Sequence, residues 1–163
     1  MIFKRRQHKQ NIYNTLLFLS RNILFYKNLG FEDTYETRIY LMFFHYSIIL
    51  LILKNKEKKK NQENYDDLFF YIENNLRELG FGDVSVNKKM KDLNKVFYDI
   101  LLKINTNNNS FEISKKLSNK YFKKLNDNDK NWEVFARYFK NFYHFCFELT
   151  GNNMIKEAIN YKF

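Results

Sequence analysis

Residues 77–90 read Arg77-Glu78-Leu79-Gly80-Phe81-Gly82-Asp83-Val84-Ser85-Val86-Asn87-Lys88-Lys89-Met90, and this stretch decides how the chain divides into elements. Upstream of it, Tyr65, Leu68, Phe69, Ile72, Leu76 and Leu79 recur at three- and four-residue spacing. They mark one face of a helix that ends where Gly80 can take the left-handed conformation. Downstream, a second helix starts near Ser85 and carries Met90, Leu93, Phe97, Ile100, Leu101 and Ile104 on one stripe, with Lys88, Lys91 and Lys95 on the far side. Gly80 and Gly82 thus form a helix–helix corner, Asp83 is positioned to cap the following helix, and Leu79 and Met90 to anchor the two helices across the corner. A phosphate loop is the wrong reading of Gly80-Phe81-Gly82, which follows a helix rather than a strand and lacks the Gly-Lys-Ser/Thr ending.

The same periodicity extends in both directions. Ile12, Leu16, Leu19, Ile23 and Tyr26 predict a first helix, stopped at Gly30. A second is expected to begin at Asp33, with Glu36 completing a capping-box-like pair, and to run to Lys54. From Ile39 to Leu53 only His45 and Ser47 interrupt an apolar run of 15 residues, short of the ~20 that span a bilayer. This reads as a buried central helix, with a re-entrant or membrane-surface element as the alternative. Lys54 to Asn61 is a basic, solvated loop, and Asn105 to Asn109 a flexible linker or long loop. Helices follow over Phe111–Leu125 and Trp132–Leu149, with a short one after Gly151. In the longer, Trp132, Phe135, Ala136, Phe139, Tyr143 and Cys146 face inward, and Phe142 and Phe145 widen the stripe. The expected fold is an all-α, single-domain bundle of about six or seven helices over residues 1–163, with loops near 54–61 and 105–110.

Composition agrees with that outline. No proline and four glycines in 163 residues leave little of the punctuation that β-sandwiches and barrels need, and 45% hydrophobic residues exclude disorder over the whole length. The lone Cys146 can form no internal disulfide and suits a reducing compartment. A net charge of +10 invites polyanionic partners. Lys, Asn, Ile, Phe and Tyr are all abundant and all have AT-rich codons, so the charge is discounted as functional evidence. The first 31 residues hold no acid and open with Lys4, Arg5 and Arg6, a bias shared with organellar transit peptides. The helical register from Ile12 onward argues instead for a structural element.

Catalytic chemistry finds no footing. Of the three histidines, His8, His45 and His144, none has metal-ligand spacing, and His144 and Cys146 diverge on a helix. Pairs such as Asp66 and Asp67, or Glu32 and Asp33, are ordinary helix-surface carboxylates. His45 sits among Leu41, Phe44, Ile48 and Ile52 with Arg38 two turns earlier, and reads as a satisfied core or interface histidine, since no second axial haem ligand can be named. The expectation is a protein without catalytic residues, metal or cofactor. The lysines of the fourth helix read as a solvated face, with a dedicated anion site as the rival.

The string from Arg77 to Asp83, continued by Val84-Ser85-Val86 and Lys88, Lys89 and Met90, closely resembles the signature of the ubiquinol-cytochrome c chaperone family. Further agreement comes from Met1-Ile2-Phe3, Phe25-Tyr26, Leu29-Gly30, Asp33-Thr34, Arg38, His45 and Phe97-Tyr98, over well more than half the chain. The last third is only loosely similar. Two departures stand out: Asp99-Ile100 where the family commonly has Gly-Arg, and Asn87 in place of a frequent proline. They leave no arginine at position 100 for any contact the family makes there.

The resemblance implies a helical, non-enzymatic assembly chaperone that binds newly made cytochrome b during biogenesis of respiratory complex III. It implies a location near the ribosome exit and, in mitochondria, a small partner protein. Because the similarity starts at Met1, the chain looks like a bacterial-type member acting in the cytoplasm, peripheral to an anionic inner membrane (the matrix side if mitochondrial). For the corner two readings stay open. Its residues are either structural (Gly80, Gly82, Met90) or part of a client or partner surface, with Arg38, His45, Arg77, Glu78, Phe81, Asp83 and Lys88 as candidates. The alternative function is a basic nucleic-acid- or ribosome-binding module, in which Lys88, Lys91, Lys95, Lys115, Lys116, Lys120, Lys123 and Lys124 track a phosphate backbone.

Overall fold

The computed structural model describes residues 11–56, 62–107 and 110–163, without the side chains of 105–107. It is an all-α bundle, as the periodicity predicts. Seven α-helices run through the described residues: α1 Ile12–Ser20, α2 Tyr35–Lys56, α3 Gln62–Glu78, α4 Asp83–Lys103, α5 Lys115–Tyr121, α6 Asp129–Phe147 and α7 Met154–Glu157. One hydrophobic core joins them. Parts of the sequence readings at Lys4, Arg5, Arg6, His8 and the 57–61 loop lie outside the described residues.

α2 is the axis of the bundle. Its 22 residues are long and apolar enough to cross a membrane, but 67% of the apolar window is buried inside the protein, against α1, α4 and α6. It starts two residues later than expected. Thr34, not Asp33, caps it, accepting from the Thr37 amide at 3.2 Å, while Asp33 pairs with Arg38 at 2.8 Å.

The first predicted helix is shorter than its periodicity suggests. α1, capped by Asn11, stops at Ser20, and the chain resumes as a π-helical turn over Leu24–Asn28. The break shifts the register, so that Phe25 is fully buried and Ile23 is 57% exposed. Gly30 then closes the turn at φ 71°, where a side chain would be strained.

The loop expected after α4 is instead a short antiparallel hairpin, β1 Asn105–Asn107 with β2 Ser110–Glu112, Thr106 opposite Phe111. Ser110, Phe111, Glu112 and Ile113 alternate exposed and buried, a two-residue period, and Phe111 stacks on Tyr143 at 5.1 Å. The helix predicted from Phe111 therefore begins only at Lys115, where Ser114 accepts from the Leu117 amide at 3.1 Å. It ends at Tyr121, with Phe122 as its C-cap, and a 3-10 turn follows over Lys123–Asn126.

α6 is capped by Asn128 and delivers Phe135, Tyr138, Phe139, Phe142, Tyr143 and Cys146 to the core; Trp132 and Ala136, expected inward, are only half-buried. With Phe25, Phe31, Phe44 and Phe122 these rings interlock, Phe31 lying flat on Phe122 at 4.8 Å. Each such ring pair contributes about 1 kcal/mol beyond burial alone.

Candidate functional site

The corner is a well-formed helix stop. Gly80 sits at φ 95°; its amide donates to the Arg77 carbonyl at 3.0 Å and the Phe81 amide to the Leu76 carbonyl at 3.3 Å, the paired bonds of a Schellman motif. Gly82 differs from expectation. Its φ of −75° is open to any residue, and it serves as the N-cap of α4 without a side-chain bond. Asp83 is the first helical residue rather than the cap. It lies beside the helix's positive end and pairs with Arg77, which also bonds Glu73 at 3.0 Å and so ties α3 to α4. Leu79 does not anchor the corner, being 60% exposed; Val86 fills the core beside a half-buried Met90.

His45 belongs to the core and is no surface contact. It has no exposed surface, and each of its ring nitrogens has a partner. Nδ1 lies 2.6 Å from the Leu41 carbonyl, which can only accept, so Nδ1 carries the proton. Nε2 then accepts from the Tyr138 hydroxyl at 2.8 Å. Nearby, the Asn22 side-chain carbonyl takes the Leu24 amide at 3.0 Å. Burial pushes the imidazole pKa down to about 3, only partly offset by the Leu41 bond, so the ring is neutral. The chain Leu41–His45–Tyr138 locks α2 to α6.

Two of the predicted surface residues meet in a groove between α1, α2 and α3. Arg38 and Glu78 line it with Tyr13, Leu17, Arg21, Tyr35, Asn75 and Leu79, around about 230 Å³. Asn75 donates to the Tyr13 hydroxyl. Burial raises the Tyr13 pKa, against the pull of Asn75, Arg21 and Arg38. Arg21 makes no ion pair with a described residue, and Arg38 spends only Nε on Asp33. From this groove an apolar surface continues over α3: Tyr13 stacks on Tyr71 at 5.2 Å, and Tyr71 meets Phe70 at 5.9 Å. Phe70, Tyr71 and Leu79, with Phe18 on α1, are among the exposed large apolar residues of the molecule. Sequence reasoning missed Tyr13, Arg21, Phe70 and Tyr71. The available signal was that Phe70 and Tyr71 lie off the α3 core stripe, where an aromatic needs another explanation.

The remaining candidates stand apart from this groove. Phe81 is capped by Lys89 at 4.6 Å, a cation–π contact, and Lys88, Lys91 and Lys95 are exposed on α4 without ion-pair partners among the described residues. Lys120, Lys123 and Lys124 border a separate cleft of about 560 Å³ with Tyr40, Tyr121 and Phe122, where Glu32 and Asp127 offset part of their charge. Burial opposes ionisation of nearby Asp99, but bonds from Lys103, Lys120 and Tyr121 outweigh it and hold the carboxyl below its usual range. Among the described residues no group of three His, Cys, Asp or Glu side chains could hold a metal ion.

The family model described as ubiquinol-cytochrome C chaperone matches residues 27–141, which include Arg38, the whole corner and the α3 wall of the groove, but not α1. Neither a curated protein nor a solved structure matches the chain. With most of its length under that match, the chain belongs to the ubiquinol-cytochrome c chaperone family.

Proposed function

We propose that the protein is a non-catalytic assembly chaperone of the ubiquinol–cytochrome c reductase complex that holds newly made cytochrome b. The carrying observation is the pair of exposed aromatics Phe70 and Tyr71, joined to the groove through the Tyr13–Tyr71 stack, with exposed Leu79 in the groove lining, on a member of this chaperone family. An unfinished membrane subunit exposes apolar helices, and a rigid aromatic face shields them at little entropic cost. The corner serves this reading as scaffold, since Arg77 and Gly80 set the angle between α3 and α4. The protein works in the cytoplasm beside the inner membrane, within reach of the ribosome exit, and the small partner protein belongs to the mitochondrial setting.

Loss of the gene should lower assembled complex III together with cytochrome b; normal levels of both refute the chaperone reading. A photo-crosslinking residue at Phe70 or Leu79 should capture cytochrome b in cells, whereas capture only from the α5 side refutes the groove as its site. A second reading draws on the cleft at Lys120, Lys123 and Lys124, which suits a phosphate backbone. It requires RNA binding that weakens steeply with salt, and protein that ignores RNA at low salt ends it.

A further inference from the structure

The outward face of α4 is a stripe of mixed character. Val84, Lys88, Lys91, Lys95, Tyr98 and Leu102 follow one another at alternating spacings of four and three residues. At 100° per residue all six fall within about 80° of the helix circumference and extend over about 27 Å. They stand directly opposite Val86, Leu93, Phe97 and Ile100, which α4 buries in the core. The three lysines are exposed, and Val84, Tyr98 and Leu102 are 86%, 49% and 77% exposed. None of the three lysines pairs with an acid among the described residues. The acids of α4 lie off the stripe: Asp83 is held by Arg77, Asp99, about 20° past its edge, by Lys103 and Lys120, and Asp92 lies about 40° past the edge.

We propose that this face of α4 docks the protein flat on an anionic lipid surface, the lysines meeting the headgroups and Val84, Tyr98 and Leu102 entering the interface. Charge complementarity selects an anionic partner. The apolar residues select lipid over nucleic acid, because a phosphate backbone gains nothing from a bare valine and leucine in its plane, whereas an interface takes both and favours tyrosine. The inference gives a surface to the membrane-side location proposed above. It stands apart from cytochrome b binding, since the α1–α3 groove uses none of these residues.

The test uses the purified full-length protein and sedimentation with vesicles of phosphatidylcholine, alone or doped with phosphatidylglycerol. Three lysines at an anionic surface should favour the doped vesicles by about 100-fold. The triple variant Lys88→Gln, Lys91→Gln, Lys95→Gln should lose most of that preference at an unchanged melting temperature. Val84→Ser with Leu102→Ser should weaken binding several-fold while keeping its salt dependence. An environment-sensitive dye on Leu102→Cys should shift to the blue on the doped vesicles and one on Lys130→Cys should not; the native Cys146 is buried and stays unlabelled. Equal binding to both vesicle types, or a triple variant that binds like the parent, overturns the proposal. So does single-stranded RNA binding that needs the lysines but is indifferent to Val84 and Leu102. None of these results bears on complex III levels after gene loss, so this inference and the chaperone reading fail separately.

Discussion

Lowering the pH should destabilise the fold through His45 before the carboxylates titrate. An unfolded histidine has a pKa near 6.5, whereas in the fold burial holds it at about 3. The folded state therefore refuses a proton that the unfolded state accepts. The stabilisation from neutral His45 is complete above pH 6.5 and is lost as the pH falls toward the folded value. One proton corresponds to ~1.4 kcal/mol per pH unit, so pH 4.5 should cost about 3 kcal/mol, a sizeable part of the stability of an ordinary domain. The assay is urea unfolding of the parent and His45→Gln at half-unit steps from pH 7.5 to 4.5, a window above most carboxylate titration. Glutamine leaves the site without a titrating group. It should be less stable at pH 7, because Tyr138 loses its imidazole partner, yet the difference between the two proteins should shrink as the pH drops. A difference that stays constant with pH would refute the reasoning, since it would mean that His45 protonates as easily in the fold as out of it.

Four further outcomes follow from the packing. The buried Tyr46 hydroxyl has no hydrogen-bond partner among the described residues, so Tyr46→Phe should raise stability by about 1 kcal/mol in urea; a loss would show that the hydroxyl is bonded after all. Gly80→Ala should cost ~1–2 kcal/mol and lower the melting temperature by several degrees, because φ 95° is denied to alanine although, its chain neighbours aside, no atom of a described residue lies within 4 Å of the added methyl. Gly82→Ser, at an ordinary φ and an N-cap lacking a side-chain bond, should be neutral or stabilising, and equal losses at the two glycines would contradict the corner geometry. Burial pushes the Cys146 thiol far up, so a thiol reagent should modify it only at the rate of unfolding; prompt reaction in the native protein would place it nearer the surface.

How much of this was legible in advance depends on the kind of interaction. Periodicity of 3.6 located α3, α4 and α6, because each buries a single stripe and its signal is local. It failed where two periods overlap or one breaks. The π-turn after Ser20 places Phe25 where Ile23 was expected, and nothing in Arg21-Asn22-Ile23 announces an extra residue of winding. Ser110 to Ile113 alternates as a strand does, but four residues beside a helical pattern are too few to separate the periods. The candidate site fared likewise. Arg38 and Glu78 were named singly, but that they meet in one groove with Tyr13 and Arg21 depends on α1 crossing α3, a contact between segments more than fifty residues apart.

The amino-acid order alone determined the all-helical class, the corner at Gly80 and the family to which the corner points, since each rests on neighbours within a few turns. Tertiary structure decided that Leu79, expected on the buried stripe of α3, is instead exposed. It decided too that His45 is a neutral strut rather than a contact, because the hydroxyl that satisfies its second ring nitrogen, that of Tyr138, lies 93 residues away. Desolvation and long-range pairing are properties of the packed chain, and no local pattern encodes them.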